Sequence, residues 1–412
     1  MNDGKLILNL SDYLTMNTPE MDFSKEAFSS MEMRQGKTVY VKNGSAFKRY
    51  IDEIYHEKHI ERYAYSAKEF REFLINTYIR FNGADKIEVN LEQEIERIEI
   101  KQCHVLLPIF NVHAHKAKLL IGKTAFIRFQ ALGGYLKENN YCSPKEMHLI
   151  TQDSYFADIP FADIVVNARD LHYAFEQAQL RLDEIIHLLN FILYSSYRGL
   201  EVISSTTNSG TRERHFIVGE GWGQISVSGH PSAIKRLVLD EALDFILDKE
   251  IGNQQLIEIF DKSNKNEIEK RITNAVNWLG MAIAEKNNSI AFTQSIYAIE
   301  SLLQYETKGE VINKSIVATI SEAIAFLLGK NYEDRKNIEK NFKELYGIRS
   351  KIAHGKSSEI TAYQVLEAIN LAKRLVQGIL TNSALKDAST MQKITNYITK
   401  LKYTVVNDTE NN

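Results

Sequence analysis

Two residues in the C-terminal third of the chain, Arg349 and His354, have the types and spacing to act on a phosphate ester. The apolar positions Ile338, Phe342, Leu345 and Ile352 recur at helical spacing, and Arg349 falls in the middle of that stripe. A permanent cation on a buried stripe is costly unless something pairs with it. His354 is followed by Gly355, a natural helix stop, so the imidazole sits at a helix C-terminus. At a rise of ~1.5 Å per residue the two side chains lie about one and a half turns apart. An imidazole with an ordinary pKa near ~6.5 is suited to proton transfer at neutral pH. A guanidinium offers a planar fork of donors matched to phosphate oxygens. Spacing alone also admits a plainer reading, in which the arginine snorkels to solvent and the histidine caps the helix.

The other polar constellations are weaker. His113 and His115 put two imidazoles on one face of a strand, but no third ligand of suitable type follows at a metal-site spacing. The stretch Gly219-Glu220-Gly221-Trp222-Gly223 lacks the lysine and hydroxyl of a phosphate-binding loop. His56 and His59 lie on a charged helical face and read as solvated. Ser204-Ser205-Thr206-Thr207 has no visible histidine and aspartate partners, and Cys103 and Cys142 read as ordinary thiols.

The elements that position Arg349 and His354 are helices. After residue 234 almost every apolar pattern is helical: 237–247, 268–285, 289–304, 315–328, 334–354, 363–380 and 389–403. Each carries one apolar stripe, as in a helical bundle. Upstream the pattern is mixed. Residues 5–10 read as a strand, and 46–55 and 65–81 as helices. Polar–apolar alternation at 86–91, 98–100 and 123–129 predicts a β-rich region over 86–166. A long helix is predicted from 171 to about 197, ended by Gly199. Residues 206–229 read as a polar, Gly-rich loop or hairpin, the best place in the chain for a mobile segment.

Composition limits what this framework can do. Hydrophobic residues at 44% and charged residues at 25% are ordinary for a globular protein. The net charge of −3 gives no global basic field, which argues against a protein that coats nucleic acid and leaves room for one that binds RNA briefly. Two cysteines cannot form a disulfide framework, so a reducing cytoplasm is expected. The N-terminus lacks a signal peptide, and no run of apolar residues is long enough to span a membrane.

The segment Leu345-Tyr346-Gly347-Ile348-Arg349-Ser350-Lys351-Ile352-Ala353-His354-Gly355 resembles the Arg-x4-6-His signature of HEPN (higher eukaryote and prokaryote nucleotide-binding) domains. Ala275-Val276-Asn277-Trp278-Leu279-Gly280 resembles the first helix of the Apea-like branch. Ile296-Tyr297-Ala298-Ile299-Glu300-Ser301-Leu302-Leu303 resembles its Ala-x-Glu-x-Leu helix, and Gly309-Glu310-Val311 its next segment. Order and spacing agree over somewhat under a third of the chain. Ser350 stands where active members often carry Asn, Asp or His, and Ala323 where a basic residue is common. The resemblance implies a metal-independent endoribonuclease that works as a homodimer, with Arg349 and His354 of two protomers facing each other and no cofactor. It also implies that the helix of Glu300 packs nearby, which makes Glu300 the third candidate catalytic residue, placed to pair with Arg349 and hold the guanidinium. From the residues alone Glu300 reads equally as an exposed polar residue on an amphipathic helix. Ser350, Lys351 and Lys356 beside the motif are the expected RNA contacts, within a modest basic group of Lys343, Lys351, Lys356, Lys373 and Arg374.

The expected fold is α+β: a mixed region over 1–255 with a β-rich middle, a HEPN helical bundle over 256–385, and a helical extension with a tail over 386–412. By resemblance to large bacterial members of the branch, the first region would sense an unknown trigger and restrain the nuclease in defence against phages. Two other readings stay open on sequence. One is a non-catalytic dimerisation or RNA-binding module. The other is a toxin paired with a nucleotidyltransferase antitoxin.

Overall fold

The change from alternating to helical periodicity divides the chain into a part with sheets and a part made only of helices, and the computed structural model is α+β in that order. It describes residues 5–17, 30–34, 36–151, 159–194, 203–204, 214–219, 222–227, 237–304, 316–355 and 359–403.

The first elements are β1 (Lys5–Leu8), β2 (Leu14–Thr15), β3 (Ser30–Arg34), β4 (Lys37–Val41), α1 (Gly44–Glu57), α2 (Ala67–Arg80), β5 (Ile87–Asn90) and α3 (Leu91–Glu96). β1 pairs with β5, and β4 lies between β2 and β3. These elements close a core of their own around Leu8, Phe47, Phe70, Leu74 and Ile95.

The middle of the chain supplies β6 (Lys101–Pro108), β7 (Val112–His113), β8 (Lys118–Ile121), β9 (Thr124–Arg128), α4 (Phe129–Glu138), α5 (Pro144–Thr151), β10 (Pro160–Ala168) and α6 (Leu171–Leu193). It continues with β11 (Arg214–Gly219), β12 (Trp222–Val227), β13 (Leu237–Val238), α7 (Leu239–Ile246) and α8 (Asn253–Asp261). The central sheet is antiparallel in the order β12-β11-β6-β10-β9-β8. Side-chain alternation along β6 sends Cys103, Val105 and Leu107 to one face, where α6 covers them. The other face presents His104 and Leu106, and α4 covers part of it with Leu132 and Leu136, against which Met147 of α5 packs.

The expectation of a β-rich stretch over 86–166 holds for the strands but missed three short helices, α3, α4 and α5. α4 buries Phe129, Leu132 and Leu136, too few positions for a clear period. Ile98-Glu99-Ile100 alternates but is not a strand: β6 begins at Lys101, and Ile100 is 49% exposed. The Arg169 side chain holds that turn instead, donating to the carbonyls of Glu96 and Ile98. α6 runs from Leu171 to Leu193, and Gly199 lies outside the described residues. Of 206–229, the strands β11 and β12 are described as a hairpin on the edge of the central sheet.

The bundle consists of α9 (Glu267–Ala284), α10 (Asn288–Leu303), α11 (Ile316–Leu328), α12 (Tyr332–Ala353), α13 (Ala362–Thr381) and α14 (Met391–Tyr403). Local chemistry sets its starts. Asn266 and Glu269 form a capping box on α9, and Thr361 and Gln364 one on α13. Asn287 caps α10, and Asn331 caps α12.

Packing does not respect the sequence boundary at 255, which falls inside α8. Leu256, Ile257 and Phe260 of that helix, the inner face of the sheet, α6 and the bundle share one core that reaches Ile398 of α14. α6 is the hinge-pin of this arrangement, with the sheet on one side and α9 on the other. Gly280 of α9 lets the two helices touch, since a Cβ there would lie 2.3 Å from the Cβ of His187. At its start, Asp170 caps α6 and also accepts from the backbone and hydroxyl of Ser66, the cap of α2. No described helix is long and apolar enough to cross a membrane.

Candidate functional site

α12 carries Arg349 and ends at His354. Ile338, Phe342 and Leu345 are buried on its inner stripe as the spacing predicts, and Arg349 follows them with a side chain only 23% exposed. The helix closes tightly. The His354 amide donates to the Ser350 carbonyl at 3.1 Å, and the Gly355 amide to Ile352 at 3.0 Å. Gly355 has φ +68°, a left-handed conformation that glycine adopts without strain. The His354 side chain is exposed beyond the last turn.

Glu300, on α10, meets Arg349 across the helix contact. Its Oε2 lies 3.4 Å from the arginine Nη2, and its side chain is 12% exposed. Two aromatic rings complete the surroundings. The guanidinium carbon is 5.2 Å from the ring centre of Tyr297 and 5.7 Å from that of Tyr346. Trp278 of α9 packs against Tyr297, with ring centres 5.4 Å apart. The Nε of Arg349 is buried and has no hydrogen-bond partner among the described residues. Burial and the nearby Glu300 carboxylate hold the Tyr346 hydroxyl above the ordinary tyrosine pKa, and the Arg349 charge partly opposes them.

The predicted site residues therefore divide. Arg349 and Glu300 come together, and His354 projects from the end of the same helix about 7.5 Å further along its axis. Ser350 is half-buried and gives its carbonyl to the helix end, Lys351 is exposed, and Lys356 lies outside the described residues. The basic group needs a correction. Lys343 is exposed beside Glu339, and Arg374 is exposed, but Lys373 is only 5% exposed and cannot meet an RNA. Its ammonium donates to the carbonyls of Phe191 and Ile192 at the C-terminal end of α6, where the helix dipole favours a cation. Burial pushes its pKa down to about 8.

Two features were missed in the sequence. Tyr346 and Tyr297 each stand three residues before a charged partner, Arg349 and Glu300, and so share a helix face with it. That spacing was readable. The second is a buried polar network on the outer face of the sheet. Asp163, on β10, accepts from Nδ1 of His104 at 3.0 Å and from the Tyr135 hydroxyl at 2.5 Å, and Tyr141 stacks on the imidazole with ring centres 3.9 Å apart. Burial and the Asp163 carboxylate hold the Tyr135 hydroxyl far above its ordinary pKa. His104 and Asp163 are 59 positions apart, and only the strand register joins them.

Among the described residues no three His, Cys, Asp or Glu side chains gather as a metal site. The rings of His113 and His115 do lie stacked, 6.5 Å apart. Burial raises the Cys103 thiol to a pKa of about 11, which makes it an inert core residue.

What the α12 site offers chemically is a cation with one edge engaged and an exposed imidazole at the adjoining helix end. No protein-family model, no curated protein and no solved structure matches this chain.

Proposed function

We propose that the chain is a metal-independent endoribonuclease of the HEPN kind, with Arg349 and His354 as its catalytic residues and the bundle as its dimerisation unit. The observation that carries this reading is the pairing on one helix of a half-buried, carboxylate-held guanidinium with an exposed imidazole five residues later. In the proposed reaction the 2′-hydroxyl of RNA attacks the adjacent phosphorus. Its proton passes to one imidazole, and the bond to the 5′-oxygen breaks as a second imidazole protonates the leaving group. Guanidinium groups carry the charge on the phosphate oxygens. One protomer supplies one histidine, so both proton roles are filled only when two copies meet about a two-fold axis.

On this reading Glu300 orients Arg349, and Ser350 and Lys351 border the RNA. The remainder of the chain serves as a control region for a cytoplasmic nuclease, in keeping with a role in bacterial defence against phages. The burial of Lys373 weakens the alternative of a stable RNA-binding platform, because it removes one cation from an already modest group. The test is purified protein incubated with total RNA, wild type beside His354→Ala. Cleavage by the wild type and none by the variant supports the proposal; equal cleavage by both removes the site assignment.

A further inference from the structure

An ion pair at 3.4 Å between partly exposed side chains is too long and too wet to fix a guanidinium by itself. Arg349 is nevertheless held on more than one side. Glu300 takes Nη2, and the rings of Tyr297 and Tyr346 stand within 5.2 and 5.7 Å of the guanidinium carbon. Tyr346 stands three residues before Arg349 on the same helix, so its ring lies on the face from which the arginine projects. The ring of Trp278 packs against that of Tyr297, with centres 5.4 Å apart. Nε is shut off from solvent. Nη1 makes no hydrogen bond among the described residues and, unlike Nε, is not one of the fully buried unpaired atoms, so it is the donor left with access to solvent.

We infer that Tyr297 and Tyr346 are positioning residues that clamp the Arg349 guanidinium, so that one donor, Nη1, is presented to the scissile phosphate. This inference rests on the nuclease reading and adds to it a cause for the arginine's orientation. A cation free to rotate about its long side chain would meet the phosphate in many geometries. A misplacement of about 1 Å lowers the rate of a positioned reaction by about 100-fold. Glu300 alone supplies attraction but no plane. The two rings supply the plane, because a guanidinium packs against an aromatic face in a restricted set of orientations.

The test uses the full chain with Tyr297→Phe, Tyr346→Phe, Tyr297→Met and Tyr346→Met, with His354→Ala as the control. Phenylalanine keeps the ring, while methionine fills the volume without one. RNA cleavage by the methionine variants should fall about 10–100-fold in kcat with KM nearly unchanged, and phenylalanine should restore it to within a few-fold. A second measurement needs none of the tyrosine variants to fold. In protein labelled with 15N-arginine, the Arg349 Nε–H signal of the wild type, assigned by its loss in Arg349→Ala, should exchange slowly and be shifted by the ring currents. The clamp is overturned if that signal is absent or unshifted. It is also overturned if the methionine variants cleave like wild type while His354→Ala does not. A wild type that cleaves no RNA overturns the nuclease reading, and the clamp's catalytic role with it. The His354→Ala control tells the two failures apart.

Discussion

Lys373, on α13, places its ammonium against the carbonyl oxygen of Phe191, in the last turn of α6, 182 residues away in sequence. This contact joins the helix that backs the sheet to the bundle that carries Arg349. Its proton has a measurable consequence. Burial lowers the folded pKa from 10.5 to about 8, so the unfolded chain binds this proton more tightly than the folded one. Between pH ~8 and ~10.5 the unfolded state holds more protons, and stability contributed by this group rises with pH; below the folded value it is flat. The total is on the order of 3 kcal/mol. Urea unfolding of wild type and Lys373→Met at pH 7.5 and pH 10 should show that rise as a difference between the two proteins. Parallel pH profiles would refute it.

The α6–α9 contact should tolerate no side chain at Gly280. A Cβ there would stand 2.3 Å from the Cβ of His187, 2.4 Å from its Cα and 2.7 Å from its carbonyl oxygen. All three are backbone or backbone-anchored atoms that a rotamer change cannot move. Gly280→Ala, in spite of alanine's higher helix propensity, should destabilise the protein by about 1–3 kcal/mol through overpacking. Thermal melts decide this, and an unchanged or raised Tm would show that the helices separate freely.

Asp163→Asn should be among the most damaging isosteric changes outside the bundle. The carboxylate side chain is 3% exposed and serves both His104 and Tyr135. Removing one member of a buried, hydrogen-bonded charge network costs about 3–5 kcal/mol. Tyr135→Phe removes one hydrogen bond of the same network and should cost about 1–3 kcal/mol. Chemical denaturation of both variants tests the ranking. A smaller loss for Asp163→Asn than for Tyr135→Phe would contradict it.

Arg349 and His354 should separate in stability even where both abolish cleavage. His354 is exposed, so His354→Ala should stay within about 0.5 kcal/mol of wild type. Arg349→Ala strips the cation from Glu300, which is 12% exposed, and should cost about 1–3 kcal/mol. Calorimetry of the two variants is enough. A large loss in His354→Ala would assign that residue to structure.

If the proposed nuclease reading holds, cleavage continues in excess EDTA and leaves a 2′,3′-cyclic phosphate and a 5′-hydroxyl. DNA, which lacks the attacking hydroxyl, is spared. The site rests on imidazole and guanidinium, with Glu300 as the carboxylate paired to Arg349. Products with 5′-phosphates, formed only when magnesium is restored, would place the chemistry elsewhere.

The helices of the bundle and the stripe that carries Arg349 follow from the sequence, because helical period and capping residues are local properties. Phe342, Leu345, Arg349 and Gly355 declare the end of α12 over a short local stretch. The pairing of Arg349 with Glu300 was reachable only through resemblance, since 49 positions and a helix crossing separate them. Tertiary structure alone decided three things. It buried Lys373 against α6, where the sequence places it in a basic group with Lys343, Lys351, Lys356 and Arg374. It set the register that brings His104 to Asp163, because alternation names a face but not a neighbour. It fused the sheet, α6 and the bundle into one core, so that a boundary drawn at residue 255 falls within a helix. In each case the deciding contact lies between elements distant in the chain, and periodicity within one element carries no information about which partner its buried face will meet.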